Sequence, residues 1–155
     1  MDTSTIVNDV VERLRTRLPE AFQVEYCPGK PEASLPVSQA GAVMVSYIRS
    51  KYHKPNDASS VVQPQTVRLR ATIIMRKLNG FDGAGAVLEQ VRRALGGWRP
   101  VNCHRPIRLR KDTFIGEVEG LWQYALEFVV ETMFVEDSEA DELPVLSNIN
   151  YEEQL

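Results

Sequence analysis

Cys27, His53, Cys103 and His104 are the residues of this sequence with the widest chemical reach. As zinc ligands they would need the close pairs of a finger or ribbon, and their spacing has no such pattern. No C-x-x-C pair exists either, so the two cysteines read as free thiols of a reduced, intracellular protein. Cys103 and His104 offer a thiol beside a base, the elements of a small thiol enzyme. Adjacent side chains on an extended backbone point apart, however, which argues against that pairing. Glu117 and Glu119 are expected to share one strand face as an exposed acidic edge, with no His, Lys or metal partner close in sequence. Gly83-Ala84-Gly85-Ala86 has the outline of a dinucleotide-binding turn. Leu88 stands where the third glycine belongs, and Arg105 and Arg108 lie where the ribose-binding acid should be. The glycines are better explained by close packing of a helix on a sheet. No G-K-[ST] sequence is present, which excludes a P-loop. The expectation is a protein without catalytic residues, metal or cofactor.

Charge is more informative than any of these motifs. Residues 1–48 carry 4 Lys+Arg against 6 Asp+Glu, residues 49–111 carry 14 against 3, and residues 112–155 carry none against 12. A basic middle and an acidic end suit either nucleic-acid contact or cancellation within the fold or between subunits. Arg68, Arg70, Arg76, Arg105, Arg108, Arg110 and Lys111 could form a phosphate stripe. Glu127 and Glu131 on a neighbouring strand could instead pair with them across the sheet. Aromatic residues do not interleave with the arginines, which speaks against a single-strand stacking platform.

The elements that must position these side chains follow from periodicity. Ile6, Val7, Val10, Val11, Leu14 and Leu18 recur at helical spacing, with an N-cap offered by Thr3-Ser4-Thr5 and a stop at Pro19. Residues 23–27 read as a short strand. Residues 29–39 read as loop, and 41–48 as a strand buried on both faces. The polar, proline-containing stretch 49–65 reads as a long hairpin connection. In 66–78, Val67, Leu69, Ala71, Ile73 and Met75 alternate with Thr66, Arg68, Arg70, Thr72 and Arg76. Asp82 can cap a second helix with the stripe Ala84, Val87, Leu88, Val91, Ala94 and Leu95, closed by Gly96-Gly97. Two strands complete the set. Residues 107–115 carry Arg108 and Arg110 opposite Ile107 and Leu109. Residues 120–136 carry Trp122, Tyr124, Leu126, Phe128, Val130 and Phe134 opposite Gln123, Glu127 and Glu131.

The predicted class is α+β: a single antiparallel or mixed sheet of four to five strands, with two helices packed on one face. Such a domain over residues 1–136, followed by an acidic C-terminal arm over 137–155, accounts for all 155 residues. Composition fits: 43% of residues are hydrophobic and 25% charged, the range of an ordinary globular domain. No apolar run approaches the roughly 20 residues of a membrane span, and the amino-terminal residues lack the basic and apolar regions of an export signal. A soluble, unexported protein without membrane contact is expected.

Several stretches taken in succession resemble the tail terminator family of Mu-like bacteriophages and related prophages. These are GAVMVSY (41–47), the Gln-x-Val-Arg strand running into Arg76-Lys77-Leu78-Asn79-Gly80, VLEQVRRALGGWRP (87–100), Cys103-His104-Arg105, and Gly120-Leu121-Trp122-Gln123-Tyr124. The resemblance spans roughly residues 5–136 and implies a structural role without catalysis. A terminator would form a ring, usually sixfold, that caps the head-proximal end of the tail tube, stops tube polymerisation and joins the tail to the neck. The implied partners are further copies of the chain, the tail tube protein and a neck or head-completion protein. Genomic DNA would pass through the lumen without specific binding. The implied location is the virion, after assembly in the bacterial host cytoplasm. From the residues themselves, Arg68, Arg70, Arg108, Arg110, Glu127 and Glu131 are the candidates for lumen or interface. Arg68 and Arg70 are expected within pairing reach of Glu127, Glu131 or a neighbour's acids, and the basic 49–111 region near the acidic 117–142 region of the next subunit. The alternative is a nucleic-acid-binding accessory protein that uses the basic 49–111 segment.

Overall fold

A computed structural model describes residues 2–27, 39–55 and 61–137. The element order is α1 (Thr3–Arg17), β1 (Phe22–Tyr26), β2 (Gly41–Tyr52), β3 (Val62–Met75), α2 (Ala84–Leu95), β4 (Arg108–Val118) and β5 (Leu121–Val135). The strands form one five-stranded sheet in the order β1-β2-β3-β5-β4. All neighbours are antiparallel except β1 and β2, which run parallel. The sheet is therefore mixed, and the expected α+β class holds.

Both helices lie on the same face. Val10 and Leu14 of α1 and Val87, Leu88 and Val91 of α2 share one buried cluster with Val43, Leu69, Ile73, Met75, Leu126 and Phe128 of the strands. The expected alternation holds in β3 and in β5 as far as Val130; Trp122 and Tyr124 are only half-buried at the edge of that cluster, and Phe134 is exposed. Polar ties fix the helices in place. Arg92 of α2 reaches Glu89 at 2.8 Å and Asp112 of β4 at 2.8 Å. Arg13 of α1 donates to the Ala94 carbonyl at 2.9 Å and lies 5.2 Å over the Trp98 ring.

Local details depart from the sequence reading in five places. Asp2, not the Thr3-Ser4-Thr5 run, caps α1: its carboxylate accepts from the Ser4 N–H at 3.1 Å and the Ser4 hydroxyl at 2.7 Å. These two bonds hold the Asp2 carboxyl below its usual pKa. Gly83 occupies the N-cap of α2, and Asp82 instead pairs with Lys77 at 3.2 Å. A Cβ on Gly83 would lie 2.5 Å from the Asn79 carbonyl oxygen, whereas one on Gly85 would meet nothing. Neither glycine is therefore required by packing of the helix on the sheet: Gly83 is held against the backbone of the Leu78–Asn79 turn, and Gly85 faces open space.

The stretch 49–65 is not simply a connection. β2 runs on to Tyr52 and β3 starts at Val62, with Pro64 inside the strand. A β-bulge lets this happen. Tyr47 pairs with Leu69 and Arg49 with Arg68, so Ile48 is the extra residue and every side chain after it changes face. Finally, Glu117 and Glu119 do not share a strand face. β4 ends at Val118, and Glu119 (φ 52°) and Gly120 (φ 81°) form the two-residue turn into β5, both with the positive φ that twisted hairpins favour.

Candidate functional site

The face of the sheet away from the helices is not uniformly polar. Ala42, Met44, Ile74 and Leu121 form a second buried cluster there, with Cys27 packed against it. Beside them runs an open groove of about 840 Å³ lined in part by Thr72, Thr113, Gln123, Ala125 and Glu127. The remainder of the face carries the arginines, and strand register sorts them into three rows.

The first row runs Ser46, Arg70, Glu127, Lys111 across β2, β3, β5 and β4. Arg70 donates to Glu127 at 3.1 Å. Burial pushes the Glu127 carboxyl up, but the Arg70 hydrogen bond and the charges of Lys111, Arg70 and Arg68 outweigh it and hold the group below its usual value. A carboxylate between two cations cuts the net charge of this row to a single positive charge.

The next row is different. Arg49 pairs with Arg68, Arg68 with Val129, and Val129 with Arg108. Arg110 occupies the β4 bulge beside this row, between Leu109 and Lys111. Where the first row has Glu127, this one has Val129, which is only 4% exposed. Partial burial, then repulsion from Arg110 and Arg49, push the Arg68 guanidinium below its usual pKa, against the weaker pull of Glu127. The Arg68 Nε is buried without a hydrogen-bond partner. Among the described residues, none of Arg49, Arg68, Arg108 and Arg110 forms an ion pair. Over this row lies a depression of about 410 Å³ lined by Arg49, Ser50, Lys51, Thr66, Arg68 and Val129.

The third row has an acid again. Thr66 pairs with Glu131, and Glu131 lies 3.6 Å from His104 and 3.8 Å from Arg105. Of the six residues singled out from sequence, the fold therefore joins Arg70 to Glu127, leaves Arg68 with Arg108 and Arg110, and gives Glu131 to His104 and Arg105. Within the chain Arg68 meets neither acid. Arg49 was missed, because a residue assigned to a loop has no face. Its signal was available in the alternation Arg49, Lys51 on one side and Ser50, Tyr52 on the other, once Ile48 is skipped.

The thiols sit apart from all this. Cys103 is buried, and burial together with Asp9 raises its thiol to a pKa of about 11. That is the opposite of the lowered pKa that activates a nucleophilic cysteine. The adjacent His104 turns to Glu131. Among the described residues no cluster of three His, Cys, Asp or Glu is placed to hold a metal ion, and no helix is long and apolar enough to cross a membrane.

Comparison with known proteins bears on this arrangement. The model of the family described as Gp37 protein matches residues 10–153, and so includes the acidic segment that follows β5. The fold is similar to a chain in a solved structure described as the virion of a native gene transfer agent particle. The two are 15% identical with a TM-score of 0.57, over 85% of this chain and 97% of that one. A likeness at that identity is one of fold. Among curated proteins there is no match.

Proposed function

Since this chain belongs to the Gp37 protein family, we propose that it is a structural protein of a phage-like particle, and within that particle the tail terminator. One observation carries the reading: nearly the whole of a chain built into a virion, 97% of it, superposes on this one. The succession of motifs from Gly41 to Tyr124 adds the finer assignment by its resemblance to tail terminators. In this role six copies of the chain form a ring that caps the tube, halts its growth and meets the neck. The work is done by surfaces rather than by a reaction, in keeping with the high pKa of Cys103 and its burial. A ring requires a heterologous interface that closes, one patch meeting a different patch of the next copy. The basic face and the acidic carboxy-terminal segment supply two such unlike patches.

The uncompensated arginine row also favours a second reading, contact with nucleic-acid phosphate by the 49–111 segment. The two separate cleanly. Six chains of 17.5 kDa would form a ring of about 105 kDa, visible by mass and in images at the tube end. Removing the chain from a producing host should leave tubes of uncontrolled length without attached heads. Tubes of normal length and normal head attachment would overturn the terminator role. DNA retention by the isolated chain that falls steeply with salt, without any ring, would instead support the second reading.

A further inference from the structure

The three rows on the second face carry Glu127, Val129 and Glu131 in turn at their β5 position. The outer two are answered by cations, and the middle one has cations and no acid. Arg49, Arg68 and Arg108 lie in register across four strands about 4.8 Å apart, with Lys51 at the rim of the same depression. A site of this shape takes a carboxylate or a phosphate over an apolar floor, since guanidinium groups favour planar, bidentate oxygen pairs. We propose that its occupant is the acidic segment 137–142 of a second copy of the chain.

Three observations select that occupant. First, charge: residues 137–142 carry four acids (Asp137, Glu139, Asp141 and Glu142) and no Lys or Arg, while the row carries only positive charge. Second, composition: the acids Asp141 and Glu142 are followed by Leu143, Pro144 and Val145, which suits a seat with a valine floor and an arginine rim better than a uniformly charged strand would. Third, reach: β5 continues six residues past Val129 before it ends at Val135, about 20 Å at strand rise. A chain that turned straight back after Asp137 would bring Leu146 beside Val129, beyond the acids at 139, 141 and 142. The acids of another copy have no such constraint. This inference rests on the ring reading above and gives it a specific contact, in which the arm of one subunit neutralises the arginine row of the next. A lumen or an interface built from this face would then present no bare positive band to DNA.

The test uses the full chain in two charge-reversed forms, Arg68→Glu and the double substitution Asp141→Arg/Glu142→Arg. Self-association is followed by sedimentation velocity at low salt. The wild-type chain should associate in a salt-sensitive way, and each variant alone should associate about tenfold more weakly or less, a change of roughly 1.4 kcal/mol. An equal mixture of the two should recover association, because each arm then finds a row of opposite charge on the other variant. An arm folded onto its own row would gain nothing from mixing, so failure to recover overturns the proposal. If Arg68→Glu does not fold, Val129→Glu serves in its place: an internal carboxylate at the floor should displace the arm and weaken association to the same extent.

A wild-type chain that stays monomeric at low salt overturns the proposal. So does unchanged association in both variants. A third result would assign the site to phosphate: a labelled DNA duplex bound by the wild type, lost in Arg68→Glu and unaffected by the arm substitutions. A ring of about 105 kDa that survives the arm substitutions would defeat this inference and leave the terminator reading standing. Normal tubes in the absence of the chain would defeat that reading, whatever the arm does.

Discussion

The two faces of the sheet are made from the same strands but answer to different rules. On the helix side, alternate residues of β3 and β5 enter a continuous apolar cluster, and Val67, Leu69, Phe128 and Val130 are completely buried. On the other side, the intervening residues of the same strands are Arg68, Arg70, Glu127 and Val129, and their environment depends on which charge lies one strand away. The first face is fixed by apolar area, which is non-directional and forgiving of detail. The second is fixed by register, where a shift of one residue replaces an ion pair with a repulsion. Pattern therefore specifies the fold, while register specifies the surface.

One pair of adjacent valines tests this contrast most severely. Val130→Glu would bury an unpaired carboxylate in the main cluster; it should cost more than about 4 kcal/mol and prevent cooperative folding, seen as loss of the thermal transition. Its counterpart at Val129 should have the smallest effect. Between them comes the apolar cluster on the second face. Ile74→Ala removes a fully buried side chain and should destabilise by about 2–4 kcal/mol in urea unfolding, as in a true core. A loss under about 0.5 kcal/mol would show that this cluster is surface after all.

Glu127→Gln should change stability at neutral pH by only about 0–1 kcal/mol, because its partner Arg70 is more than a third exposed. The sign of its pH dependence is fixed. The folded pKa of Glu127 lies below the ordinary 4.5, so its contribution is present above that value and is lost as pH falls through the folded pKa. The wild type should therefore lose slightly more stability than Glu127→Gln in that acidic window. Equal slopes would remove the ion pair from the account. Val129→Glu, flanked by Arg68 and Arg108, should stay within about 1 kcal/mol of the wild type. A loss as large as that of Val130→Glu would mean that the two faces do not differ as described.

Much of this was legible in the sequence. The stripe from Ile6 to Leu14 and that from Ala84 to Leu95 identified both helices because an apolar stripe at 3.6-residue spacing has one plausible partner, a sheet face. The alternation of Val67 to Met75 identified β3 and its buried side. Pairing was not legible. Arg68 and Glu127 alternate properly on their own strands, but nothing within either strand says that Val129 rather than Glu127 lies opposite Arg68. The bulge at Ile48 was hidden for a related reason: one inserted residue breaks the period of two, so Arg49 and Lys51 looked like loop. Capping by Asp2 lost to the more obvious Thr-Ser-Thr run, although one aspartate just before the first turn suffices.

The irregularities of β4 have a consequence of their own. This strand lies at one end of the sheet, and its register shifts twice, between Leu109 and Lys111 and between Phe114 and Gly116. An unbroken edge would offer its free N–H and C=O groups as a template on which any extended chain could add, copy after copy, without limit. Two bulges spoil that template, and the opposite edge, β1, is only five residues long. Backbone zippering is thereby discouraged at both ends of the sheet. In the proposed ring, copies would then meet through side chains, whose geometry can close on a fixed number, and a protein whose proposed task is to end a polymer is kept from starting one.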